Sequence, residues 1–195
     1  RSMCHRSPLW VAATIEHDFG LDLLAQASGE AEHVVLNALD ELVRRRILQE
    51  QGAAHYAFSH AKIREVAYAQ MSGARRQVLH RRVAQALEHV HRADLDRVSG
   101  RIAMHYERAS MDKEAIQYYD RAAQVAQKIF ANRDAETFLN KALALFNTLP
   151  ASRERAAQEV ALRNRLGFVL LITRGLSDAT AAQAFGRARE LAEQI

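Results

Sequence analysis

Apolar residues recur at helical spacing along most of the first half of the chain. This pattern predicts a helix over 8–28, interrupted near Gly20, and further helices over 30–48, 61–71 and 74–90. The predicted apolar stripe of the last helix consists of Leu79, Val83, Leu87 and Val90.

Two short segments in this half follow a different pattern. Residues 47–50 and 55–59 flank a Gln51-Gly52 turn, and Tyr56 and Phe58 alternate with smaller residues. This is typical of a β-hairpin. The order helix, helix, two-stranded wing, helix is the outline of a winged-helix domain, which we assign to residues 1–95.

The second half is helical by its pattern, with short connections that make neighbouring helices antiparallel. The predicted helices span 97–110, 112–130, 133–148, 152–172 and 177–194.

Small and large residues in these helices are spaced as in helical hairpins that cross closely. In the first hairpin they are Ile102, Ala103, Tyr106, Ala115, Tyr119 and Ala122, and related sets are Ala135, Leu139 and Ala142, then Leu166, Gly167, Ala181, Phe185 and Ala188. The spacing resembles tetratricopeptide repeats in an irregular register, with helix 112–130 serving two neighbours. We therefore expect a tetratricopeptide-like array over 96–195 that continues beyond 195. The alternative is a generic helical bundle in which the same residues are simply core.

Composition narrows the functional classes. The chain has 195 residues, 49% of them hydrophobic, and 27 Lys+Arg against 23 Asp+Glu give a net charge of +4. Neither half is strongly basic, so we do not expect this fragment to bind DNA, because nucleic-acid binding needs a concentrated basic patch. The single cysteine, Cys4, excludes an internal disulfide and suits the cytoplasm. The sequence contains no run of about 18 apolar residues, so it predicts no membrane span. The chain begins without Met, and we interpret it as a piece of a longer protein.

No catalytic motif stands out in the sequence. It contains no G-x-x-x-x-G-K-[ST] phosphate loop, G-x-S-x-G elbow, H-E-x-x-H or C-x-x-C motif. We therefore expect a non-catalytic fragment without a cofactor or metal of its own.

The run from Tyr56 to Tyr68 leads from the hairpin into a helix and is more specific. Its key residues are Phe58, Ser59, His60, Ile63 and Arg64. They resemble the winged-helix segment of signal-transduction ATPases of the STAND class, including multidomain bacterial regulators. That segment carries a Met-His-Asp motif, in which Ser59 and Ala61 here replace the methionine and aspartate. A tetratricopeptide-like stack commonly follows it in the bacterial branch.

The resemblance implies that His60 approaches the β-phosphate of ADP bound to a preceding ATPase domain of the same chain. ADP and ATP would then be cofactors of the parent protein and not of this fragment. A ring N–H at a helix N-terminus suits such a phosphate contact. The alternative is that His60 caps its own helix or bonds the wing.

Two further sets of residues are candidates for contacts with a partner domain or ligand. The arginines Arg44, Arg45, Arg46, Arg75 and Arg76 would contact DNA phosphates or the ATPase domain, or would simply be surface and helix-end charge. Arg97, Met104, Glu107 and Arg108 would line a groove that binds a protein or small-molecule effector.

The sequence is compatible with three functions. The first is a regulatory and interaction region of a STAND-type ATPase or transcriptional regulator. The second is a winged-helix DNA-binding module with a helical dimerisation region, which a basic patch on helix 30–46 would favour. The third is an enzyme with an unrecognised site.

Overall fold

The computed structural model describes residues 6–16, 18–52 and 55–195, which form ten α-helices and a small antiparallel sheet. The helices are α1 (Arg6–Ile15), α2 (Leu21–Ser28), α3 (Glu32–Arg44), α4 (Ala61–Ala69), α5 (Gly73–Val90), α6 (Ser99–Arg108), α7 (Asp112–Lys128), α8 (Asn132–Leu145), α9 (Arg153–Arg174) and α10 (Ala179–Ala192). The strands are β1 (Phe19–Gly20), β2 (Leu48–Glu50) and β3 (His55–Phe58). The prediction of a mainly helical chain is confirmed. Cys4 lies outside the described residues.

The helix predicted over 8–28 is interrupted, as expected near Gly20, but the break begins before that residue. Helix α1 ends at Ile15, and Glu16 takes a left-handed conformation with φ 72° that a continuing helix does not allow. The chain then enters β1, where the buried ring of Phe19 stacks on Tyr56 with their centroids 6.3 Å apart. Only after this pairing does α2 begin.

The sheet consequently has three strands and not the two predicted. Its order is β1-β3-β2, with both pairings antiparallel. Phe19 lies opposite Tyr56 in one pairing, and Leu48 lies opposite Phe58 in the other. The predicted hairpin is confirmed as the β2–β3 pair, and β1 adds a strand to its other side.

Two helix details also differ from the predictions. Helix α3 ends at Arg44 and not at residue 48, because Arg46 turns the chain with φ 57° and β2 follows. Val90, predicted in the α5 stripe, is 36% exposed at the last residue of the helix, whereas Leu79, Val83 and Leu87 are buried.

Contacts divide the chain into two compact units. The first comprises Arg1–Ala93 with Arg108–Ser110, and the second comprises Asp94–Glu107 with Met111–Ile195. In the first unit, α1 packs against α2, α3, α4 and α5. The winged-helix and tetratricopeptide-like assignments of residues 1–95 and 96–195 stay predictions.

In the second unit each helix packs on the next, α7 on α8, α8 on α9 and α9 on α10. The residues of the repeat pattern are buried, except that Phe185 is half-buried. Two helix starts have side-chain caps: Ser152 accepts a hydrogen bond from the Arg155 N–H at 3.1 Å, and Asp178 accepts one from the Ala181 N–H at 2.9 Å. Both caps confirm predicted helix starts.

Candidate functional site

His60 lies where the sheet gives way to α4. It is the N-cap residue of that helix, with extended backbone angles (φ −143°, ψ 134°) and an exposed side chain. Its carbonyl accepts a hydrogen bond from the Ile63 N–H at 3.0 Å, but its imidazole makes no cap hydrogen bond. The imidazole therefore faces solvent beside the first N–H groups of α4. It does not cap its own helix, which was one of the two alternatives to a phosphate contact.

The first turn of α4 also carries an ion pair. Lys62 donates to Glu65 at 2.9 Å, and this hydrogen bond lowers the pKa of the Glu65 carboxyl. Because Glu65 offsets the charge of Lys62, the positive character of this end of α4 comes from the N–H groups of its first turn. An anionic group brought by a partner would be attracted to His60 here.

The arginines at the end of α3 do not form a free basic patch. Arg44 and Arg45 both pair with Glu41 on the same helix, while Arg46 is exposed. Glu41 supplies one carboxylate to two of the three guanidinium groups, and the carboxylate of Asp40 is also exposed on this helix.

Arg75 and Arg76, at the start of α5, are held by aromatic rings of the first unit. The guanidinium of Arg75 lies 4.4 Å from the centroid of the Trp10 ring, and that of Arg76 lies 4.8 Å from Tyr68. Arg76 also donates to the carbonyl of Ala69 at 3.1 Å. Both side chains thus link α5 to helices α1 and α4.

The structure adds a buried polar pair that the sequence analysis did not assign. His80, 1% exposed, is hydrogen-bonded through Nε2 to the Tyr68 hydroxyl at 2.8 Å. Burial, with a smaller contribution from Arg108, lowers the pKa of His80 to about 4, so the imidazole is neutral at pH 7. The sequence did contain a signal for the burial of His80, because helical spacing puts this residue on the same face of α5 as Val83 and Leu87.

The carboxylate of Glu16 lies near this hydrogen-bonded pair and forms ion pairs with two arginines. Arg108 donates to its carboxylate, and Arg64 lies 3.7 Å from the same oxygen. This ion-pair network engages Arg108, which was predicted to line an effector groove.

The other residues predicted for that groove differ in their surroundings. Arg97 is exposed, whereas Met104 and Glu107 are half-buried one turn apart on α6. Glu107 accepts a hydrogen bond from the hydroxyl of Tyr119, a fully buried residue. Glu107 therefore takes part in the packing of α6 on α7, and an effector role for this set stays a prediction.

Two kinds of feature are absent from residues 6–16, 18–52 and 55–195. No helix there is both long and apolar enough to cross a bilayer. Nor do three or more His, Cys, Asp or Glu side chains gather there in a way that would hold a metal ion.

Comparison with known proteins shows a similarity to part of a longer protein. No protein-family model matches the chain, and no solved structure matches it significantly. An uncharacterized protein of Rhizobium meliloti (strain 1021) is 30% identical over 177 residues. The alignment covers 91% of this chain and 16% of the relative, so the chain is similar to a small part of a much longer protein.

Proposed function

We propose that this chain is a non-catalytic regulatory and interaction region of a cytoplasmic STAND-type signalling ATPase or multidomain transcriptional regulator. In this proposal the first unit is a winged-helix domain. Its element order of helix, strand, two helices and a hairpin supports that assignment. The second unit is a tetratricopeptide-like array, which the successive packing of α7 to α10 supports.

The position of His60 is the observation that carries this proposal. The imidazole is exposed at the N-terminus of α4, directly after the last strand of the sheet. A preceding ATPase domain would bring the β-phosphate of ADP to this point, where the imidazole and the start of α4 would bind it. Loss of the contact on exchange for ATP would shift the protein toward its active state.

The similarity to a small part of a long relative supports a place within a multidomain protein. DNA binding is the weaker candidate. The exposed positions of α3 include Glu32 and Asp40, and Arg44 and Arg45 share Glu41. Such a surface does not concentrate positive charge against phosphates.

Measuring ADP release from the full-length protein tests the proposal. His60→Ala should release ADP faster, on the order of ten-fold for a lost contact worth about 1.4 kcal/mol. His55→Ala, a substitution of an exposed histidine on β3, is the matched control and should release ADP at the wild-type rate. Equal release by wild type and His60→Ala would overturn the proposed sensor.

A further inference from the structure

Glu16 lies where α1 ends, and its backbone is unfavourable for a residue with a side chain. Its φ of 72° is in the left-handed region, which glycine, asparagine and aspartate adopt more readily than glutamate. The Glu16 side chain is also half-buried, with 21% of its surface exposed. A residue held in such a conformation, with its carboxylate turned to other side chains, points to a function for that carboxylate.

The Glu16 carboxylate connects two helices that are far apart in sequence. Its Oε1 atom accepts a hydrogen bond from Arg108, the last residue of α6. The same atom lies 3.7 Å from the Nη1 atom of Arg64, in the first half of α4. Because two cations share one oxygen atom, the position of each guanidinium group depends on the other.

The segment that contains Arg108 belongs to the first unit, although the helix that it ends does not. Residues Arg108–Ser110 are part of the first unit, whereas the preceding residues of α6, up to Glu107, are part of the second. Within the first unit, Gln77 of α5 also donates a hydrogen bond to the Ser110 hydroxyl at 3.1 Å. Side chains of the first unit therefore hold the end of a helix that is covalently continuous with the second.

Glu16 is the carboxylate that serves both arginines. The carboxylates next to them in sequence, Glu65 and Glu107, have other partners, which are the Lys62 ammonium and the Tyr119 hydroxyl. Removing the charge of Glu16 would therefore take the shared anion from two guanidinium groups at once. The effect would reach α4 and the end of α6 together.

We infer that Glu16 couples the helical array to the nucleotide sensor, because one carboxylate holds both α4 and the end of α6. A change in the second unit that displaces α6 would separate Arg108 from Glu16 and loosen Arg64, which lies one turn into the helix that His60 precedes. This role rests on the proposed function, since the event that it regulates is the release of ADP at His60. Glu16 is a positioning residue and does not contact the nucleotide.

Hydrogen exchange of the 195-residue chain, followed by mass spectrometry, tests the coupling without nucleotide. Arg108→Gln should speed exchange of the α4 amides about three-fold, as expected for a lost, partly exposed ion pair, and leave the α3 amides unchanged. Glu16→Gln should have at least this effect, and the double variant should match Glu16→Gln alone. Arg187→Gln, which removes an ion pair with Glu190 within α10, is the matched control and should leave α4 unchanged.

Two results of this experiment would overturn the coupling. Unchanged exchange of α4 in Arg108→Gln would show that the end of α6 does not hold this helix. Equal acceleration of α3 and α4 would show a general loss of stability of the first unit and no specific link.

ADP release from the full-length protein separates this coupling from the sensor itself. Glu16→Gln should release ADP about three-fold faster than wild type, and Glu16→Gln/His60→Ala no faster than His60→Ala alone, because the contact is already lost. Fast release by His60→Ala with wild-type release by Glu16→Gln would refute the coupling and leave the sensor standing. Wild-type release by both single variants would refute the sensor and, with it, any regulation through Glu16.

Discussion

Gly167 lies directly beneath the ring of Phe185. A Cβ placed on this glycine would be 2.6 Å from the Cζ atom of that ring, closer than carbon atoms approach one another. Helices α9 and α10 therefore approach closely only because residue 167 has no side chain. The same ring makes an edge-to-face contact with Phe168, at 5.4 Å between centroids.

Gly167→Ala is expected to destabilise the second unit. The added methyl group must displace the Phe185 ring, an overpacking that costs about 1–3 kcal/mol. Gly186→Ala is a matched control in the neighbouring helix, where a Cβ would meet nothing within 4 Å. That control should be neutral or stabilising, because alanine favours helix. Thermal unfolding followed by circular dichroism measures both, and equal melting temperatures would contradict this account of the crossing.

The helices could be predicted from sequence because their apolar spacing is regular. Most predicted helices agree with the structure within about two residues at each end, and burial of Tyr119 and Leu139 follows from the same periodicity. The spacing of small and large residues placed Gly167 and Phe185 in the same helical hairpin, and the structure adds their direct contact.

The features of the structure that were not predicted depend on contacts between residues far apart in sequence. Strand β1 has only two residues, too few for an alternating pattern, and it forms because Phe19 and Gly20 pair with β3. The Tyr68–His80 hydrogen bond joins two helices.

The first unit is expected to lose stability as the pH falls from about 6.5 to about 4. His80 has its pKa lowered to about 4 in the folded protein, so the unfolded chain binds the proton more tightly. The contribution is complete above the unfolded pKa and is lost progressively as the pH falls, by at most about 3 kcal/mol.

His80→Gln removes this titration but keeps a side chain that hydrogen-bonds Tyr68. Trp10, the single tryptophan, lies in α1 of the first unit, so its fluorescence follows unfolding of that unit in denaturant. Wild type should lose stability relative to His80→Gln over this pH range. Parallel curves for the two proteins would show that His80 is not a buried neutral imidazole.

The chain is expected not to bind DNA. Gel-shift titration of a random duplex at about 50 mM salt should give no complex up to about 10 µM protein, because α3 carries the carboxylates of Glu32, Asp40 and Glu41 as well as the arginines at its end. A low-micromolar complex whose affinity falls steeply with added salt would instead favour a winged-helix DNA-binding module.

The nucleotide carried by the full-length protein tests the central proposal most directly. Purified wild-type protein, denatured and analysed by chromatography, should release close to one ADP per chain, and His60→Ala purified in parallel should release markedly less. Full-length protein that carries no adenine nucleotide and binds none when ADP or ATP is added would contradict a nucleotide switch acting through His60.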